Sequence, residues 1–242
     1  MTPNEFVTTL DNQGLPISNR KMDLFQTYLE FLLEYNKKVN LTAINNPKDV
    51  WLKHFYDSLT PLLYLPDMNK KVSLIDIGSG AGFPGIPLKI VNQKFQLTLL
   101  DSLQKRITFL DQLISKLNLK NVETVHGRAE DFGNNPNYRE KYDFAIARAV
   151  SNTNTLLELL LPFVKVGGKI ILMKTVHVEN EIYEANKALE ELGGRVSQSF
   201  SFELPNDDSR VLITVDKIKP TKKRYPRRAG VPEKSPIGGK HD

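Results

Sequence analysis

Residues 72 to 90 read VSLIDIGSGAGFPGIPLKI, an apolar run that ends in an acid, Asp76, and then in four glycines, Gly78, Gly80, Gly82 and Gly85. Val72, Leu74, Ile75 and Ile77 suit a buried parallel strand, and glycines remove the Cβ atoms that would keep a ligand off the backbone. The residues after Gly85 read as helical. A strand, a glycine turn and a helix start, in that order, present free N–H groups and a positive dipole end to an anion or carboxylate. This is the chemistry of a nucleotide cofactor.

Two cofactor classes compete for such a loop. Gly80 to Gly85 satisfies the GxGxxG pattern of dinucleotide sites, which is weak evidence by itself. In that register Asp76 falls in the strand just before the first glycine, a poor neighbour for an anionic pyrophosphate. A cofactor bearing a sulfonium and an ammonium, as S-adenosylmethionine does, would be attracted by it. Asp101 ends the next apolar segment, where either cofactor would place ribose hydroxyls for a carboxylate to accept. GRAED, residues 127–131, ends the segment after that.

The elements that must position these residues alternate. The first seventy residues read as helical: Thr2-Pro3 is a cap and first-turn pair, Ser18 caps a second helix carrying Leu24, Tyr28, Phe31, Leu32 and Tyr35, and a third starts near Pro47. Strands are expected at 72–77, 96–101, 122–126, 142–148, 169–174, 195–202 and 210–216, with helices at 103–117, 154–163 and 178–192. That alternation means βαβ units and helices on both faces of a mostly parallel sheet. Only ELPNDDS separates the last two strands, which should pair as an antiparallel hairpin. A doubly wound α/β, Rossmann-like sheet of seven strands ending in such a hairpin resembles the S-adenosylmethionine-dependent methyltransferases. The organisation expected is a helical extension (1–70), a cofactor-binding domain (71–216) and a basic, Pro-rich arm (217–242), read as extended and poorly packed.

Composition narrows the partners. The 242 residues include no cysteine, which removes thiolate nucleophiles and cysteine metal sites, and four histidines leave little for a metal. No stretch is apolar enough for a membrane helix, and a soluble, cytoplasmic monomer is expected. The net charge of +5 is uneven: residues 217–242 hold nine Lys and Arg against Glu233 and Asp242, leaving −2 for the remainder. A near-neutral body with one basic end suits a polyanion such as RNA.

The acceptor of a methyl group decides which side chains are needed. Pyrimidine C5 normally requires a cysteine. Exocyclic amines are usually served by an Asn- or Asp-Pro-Pro-aromatic motif, where this chain has Ala147-Arg148-Ala149-Val150; one common class of ribose enzymes wants an Asp where Arg148 stands. An acceptor with a lone pair and no proton to lose remains, and guanine N7 is one.

The strings NLTAI (40–44), KHFYDSL (53–59), DIGSGAGFPGIPL (76–88), LDSLQKRITFL (100–110), GRAE (127–130), ARAV (147–150) and KKRYPRRAGVPEKSPI (222–237) resemble the small-subunit rRNA methyltransferase G family, also called glucose-inhibited division protein B. The resemblance runs nearly end to end. It implies S-adenosylmethionine-dependent methylation of N7 of one guanosine in the decoding region of bacterial 16S rRNA, within the small ribosomal subunit. It also implies cofactor contacts at Gly78, Phe83, Ala129, Glu130 and Arg148, with Gly80 and Asp101 added from position; GRAE would hold the adenine edge. Arg148 is the best catalytic candidate. RNA contacts are expected at Lys174, Lys222, Lys223, Arg224, Tyr225, Arg227 and Arg228. His54, Asp57 and Ser58 share a helix face, equally suited to catalysis and to packing. Lys174-Thr175 replaces the family's Lys-Gly, and Arg228 its tail Lys. The alternatives are a non-catalytic RNA-binding assembly factor and, more remotely, an NAD-dependent oxidoreductase.

Overall fold

The computed structural model describes residues 1–148, 151–175 and 179–239. Its helices are α1 (Pro3–Asn12), α2 (Asn19–Asn36), α3 (Pro47–Asp49), which runs through a π-helical segment (Val50–Tyr56) into α4 (Asp57–Tyr64), then α5 (Gly85–Val91), α6 (Gln104–Lys116), α7 (Ala129–Phe132), α8 (Thr153–Leu160), α9 (Glu179–Glu184), α10 (Asn186–Leu192) and α11 (Val231–Lys234). The strands are β1 (Ser73–Ile77), β2 (Gln96–Asp101), β3 (Val122–His126), β4 (Tyr142–Arg148), β5 (Val164–Lys174), β6 (Gly194–Glu203) and β7 (Ser209–Lys217). Thr2 forms a reciprocal capping box with Glu5, and Ser18 caps α2, as their sequence positions require.

The sheet order is β3-β2-β1-β4-β5-β7-β6, with β7 antiparallel to β5 and to β6. The winding reverses between β1 and β4, so the crevice for a ligand opens above their carboxyl ends. One apolar cluster joins α1, α2, the π segment and α4 to α5, α6 and one face of the sheet; it contains Phe6, Phe25, Trp51 and Phe55, so the amino-terminal helices share a core with the sheet. The opposite face packs on α8 and α10 in a second cluster that includes Tyr225 and Ile237.

Three expectations change. β5 begins at Val164 rather than 169, because Gly168, where a Cβ would lie 2.5 Å from the Asp143 carbonyl, lets it run close against β4. The helix expected over 178–192 is two, α9 and α10; its expected start at Val178, with Ala149 and Val150 of the ARAV string, lies outside the described residues. The third change is the tail, which is packed rather than extended. Tyr225, Pro226, Pro232 and Ile237 are buried, and acids on α8, α10 and α7 receive its charges and N–H groups, so prolines here shape a fitted strap.

Candidate functional site

The four glycines divide into two kinds. Gly78 and Gly80 have φ of +73° and +60°, and a Cβ on either would point into open space, with nothing within 4 Å of Gly78 and only the Gly78 oxygen at 3.9 Å from Gly80. Gly82 and Gly85 are packing glycines: a Cβ would come within 2.8 Å of Tyr28 OH at the first and within 2.6 Å of Leu99 at the second. The GxGxxG register therefore fails at its second glycine, the one that would let a pyrophosphate approach: Gly82 is walled in by Tyr28 and Ile86, whereas Gly85 packs as the third glycine of such a loop would. The open backbone at 78–80 is a cradle of the kind that a small, closely held cofactor fits.

The two acids of this half face inward. Asp76 is fully buried; Oδ2 accepts from Gly85 N (2.8 Å), Oδ1 takes no hydrogen bond, and burial pushes its carboxyl up to about 7 against the pull of that N–H and of Arg148. It braces the loop from beneath, so its charge is not the feature that separates the two cofactor classes. Asp101 is 1% exposed: Oδ2 accepts from Gly80 N (2.8 Å), Oδ1 from Leu103 N (2.9 Å), and Arg106 pairs with it at 3.2 Å. It fixes Gly80 in its left-handed conformation. Phe83 lies in a stack, its ring centroid 5.3 Å from Tyr28 and 4.3 Å from His54, with the Arg148 guanidinium 5.2 Å from its centre. Tyr28 OH donates to Ala81 O and pins the loop to α2.

Across the crevice, Arg148 ends β4 and is surrounded by one helical run. Its Nη1 donates to Lys53 O (3.0 Å), with His54 O at 3.5 Å, Asp57 Oδ2 at 3.2 Å and Ser58 Oγ at 3.4 Å, while Nη2 donates to His54 Nδ1 (3.1 Å). The wider turns of the π segment leave carbonyls for a guanidinium to collect. Because Nδ1 accepts from Arg148, the His54 proton is on Nε2 and donates to Thr42 Oγ1 (2.9 Å). Asn36 shapes that loop, accepting from Leu41 N (2.7 Å) and Thr42 N (3.1 Å). Burial, with Arg148 adjacent, drives the His54 pKa down to about 3, so the ring is neutral and both nitrogens are engaged. Burial likewise pushes Asp57 up, opposed by Arg148 and by Arg210, whose Nε lies 3.3 Å from Oδ1.

Lys53, His54, Asp57, Arg148 and Arg210 line a cleft of about 340 Å³ with Lys174 and Glu181 also on its walls. Lys174 is 8% exposed and is engaged by Ser151 O (3.2 Å), Thr153 Oγ1 (2.9 Å) and the Glu181 carboxylate. In the sequence Tyr28 reads only as part of the second helix's apolar stripe, Thr42 only within NLTAI and Arg210 only as a strand start; no local pattern marks residues that meet at a site only through the fold. Among the described residues no group of three His, Cys, Asp or Glu could hold a metal.

At the third strand end Ala129 is buried, and Glu130 Oε1 accepts from Gly230 N (2.9 Å) of the tail. Arg227 lies against the buried Glu158, and Tyr225 is 7% exposed, so neither presents an open surface to RNA as the sequence suggested. Lys222 and Arg224 are exposed and share Glu191; Lys223 and Arg228 are exposed. Lys219 and Lys234 are exposed too, so among the described residues the positive surface of the tail is these six.

The chain has relatives of known family. Residues 21–210 match the family model described as rRNA small subunit methyltransferase G. The chain is 90% identical over 242 residues, all of both chains, to the ribosomal RNA small subunit methyltransferase G of Oenococcus oeni (strain ATCC BAA-331 / PSU-1). It is 50% identical over 238 residues, 98% of this chain and 100% of the relative, to the protein of that name in Leuconostoc citreum (strain KM20). Among solved structures, a SAM-dependent methyltransferase from Aquifex aeolicus superposes with a TM-score of 0.53 at 19% identity, covering 77% of this chain and 98% of that one, which is a likeness of fold.

Proposed function

The chain belongs to the rRNA small subunit methyltransferase G family, and from that premise we propose that it methylates N7 of one guanosine in the decoding region of 16S rRNA, using S-adenosylmethionine. The observation that carries the choice of acceptor is the chemistry of the cleft around Arg148, whose guanidinium lies over Phe83 of the glycine loop. Its imidazole has both nitrogens engaged and a pKa of about 3, Asp57 sits between two arginines, and Lys174 and Glu181 are paired with each other. None of these is free to remove a proton. An N7 lone pair has no proton to lose, so a cleft without a general base is sufficient.

When bound, the cofactor supplies an electrophilic methyl group on its sulfonium. The open backbone of Gly78 and Gly80 would hold its methionine end, and Ala129, Glu130 and Asp101 its adenosine. Phe83, fixed between Tyr28 and His54, shapes the wall between cofactor and acceptor and keeps water out. Arg148 holds that wall by tying β4 to the π segment, and the cationic rim of Lys53 and Arg210 suits the phosphates around the acceptor. Lys222, Lys223, Arg224 and Arg228 would extend the RNA contact, in the cytoplasm and on the small subunit. Tritiated methyl transfer to small subunits from cells lacking this protein, followed by mapping of the labelled base, tests the proposal. Label on that guanosine N7 is expected, and its absence would end the reading.

A further inference from the structure

Glu130 is gripped by a segment one hundred residues further along the chain. It stands in the first turn of the four-residue α7, half exposed, and a glutamate in that setting keeps most of its rotamers unless something holds it. The tail does so. Pro226 packs so closely on Gly133 that a Cβ there would lie 2.9 Å from the proline ring, and Asn134 Nδ2 donates to Pro226 O (3.0 Å). Arg139 ties the same stretch, donating to Tyr225 O (2.7 Å), Thr221 O (2.7 Å) and Gly133 O (2.8 Å). Tyr225 and Ala129 belong to one apolar cluster. Gly230, at φ +81°, then turns its N–H onto Glu130 Oε1.

What places Gly230 is Arg227. Its Nε lies 3.0 Å from Oε1 and 3.1 Å from Oε2 of Glu158, its Nη2 2.7 Å from Oε2, and its own N–H donates to Oε1 (2.7 Å); Nη2 also reaches Ser235 O (2.8 Å). Glu158 is completely buried on α8, so this is a rigid, bidentate anchor. We propose that the carboxy-terminal segment is a strap that pre-positions the adenosine side of the cofactor pocket, with Arg227 and Glu158 as positioning residues acting through Gly230 on Glu130. This rests on the reading that Glu130 meets the cofactor. A carboxylate held before binding loses less freedom on binding, so the strap acts on cofactor affinity.

The test is a double-mutant cycle on the full chain, with S-adenosylmethionine affinity read by calorimetry and kcat read at saturating cofactor. Replacing both anchors, Arg227→Leu with Glu158→Leu, avoids leaving a buried charge unpaired. The expected result is an affinity loss of about tenfold with kcat changed less than about twofold, and a further loss of under about twofold when the same pair is placed on Glu130→Ala. Equal losses in both backgrounds, or none, would overturn the proposal. If Glu130→Ala alone leaves affinity unchanged, it is the cofactor role of Glu130 that fails. Should the double variant not fold, Arg227→Lys, which keeps the charge but cannot span both oxygens, carries the same cycle with the same criteria.

Discussion

The two sides of the crevice are built in opposite ways. Above β1 and β2 the loop presents open backbone, and two acids are bonded to its N–H groups: Asp76 to Gly85 and Asp101 to Gly80. Above β4, β5 and β7 the facing groups are side chains, gathered from the π segment, β4, β5 and β7. The first side is tied together within some thirty residues, whereas Arg148 meets Lys53 across 95. A small cofactor suits a surface of fixed backbone, and a flexible polyanion suits a rim of long cationic side chains.

The sharpest test separates the sides by their open glycine. Gly78→Val fills the cradle and, at φ +73°, adds about 1–2 kcal/mol of backbone strain; cofactor binding should fall at least about a hundredfold by calorimetry, with the protein still folded by circular dichroism. Strong residual binding would mean the cofactor does not lie on that backbone. Next in size, Arg148→Ala should lower methyl transfer at least about tenfold while the fold survives. It also removes the charge that helps hold His54 at about 3, so the imidazole pKa followed by NMR should rise. An unmoved His54 with full activity would uncouple β4 from the helical wall.

Asp76 offers a test of the buried acids. Its native carboxyl titrates near 7 against 3.8 for an unburied one, so between those values the folded state holds more protons and stability falls as pH rises from about 4 to about 7. The slope is at most about 1.4 kcal/mol per pH unit. Asp76→Asn should flatten that decline in urea unfolding curves; an unchanged decline would place its origin elsewhere. The smallest effect is expected from Lys223→Ala with Arg228→Ala. Without those two exposed charges the salt slope of RNA binding should fall by about 0.9 for each phosphate they neutralise, with cofactor affinity unchanged. Deleting the whole tail would be uninformative, because Tyr225 and Ile237 belong to the core.

Legibility in the sequence followed the same division. The glycine loop, Asp101 and GRAE are contiguous strings at strand ends, and the alternation of elements pointed to the sheet and its terminal hairpin. What composition could not separate was a glycine that faces a ligand from one that faces Leu99, because both are silent side chains. Arg210 looked like any residue starting a strand; its partner Asp57 lies far earlier in the chain. Prolines and positive charges in the tail read as an open arm because the acids that receive them, Glu158, Glu191 and Glu130, are scattered over three helices.

The π segment gives the crevice a reading frame. Its wider turns absorb a surplus residue and leave the Lys53 and His54 carbonyls turned to Arg148, while Asp57 and Ser58 meet the same guanidinium from the turn that follows. Removing one residue between Val50 and Tyr56 would restore the α-helical ladder and close those carbonyls onto N–H groups, with the face of α4 left nearly where it was. A change nearly invisible to composition would thereby take two backbone acceptors away from the guanidinium while leaving the apolar content of the helix almost untouched.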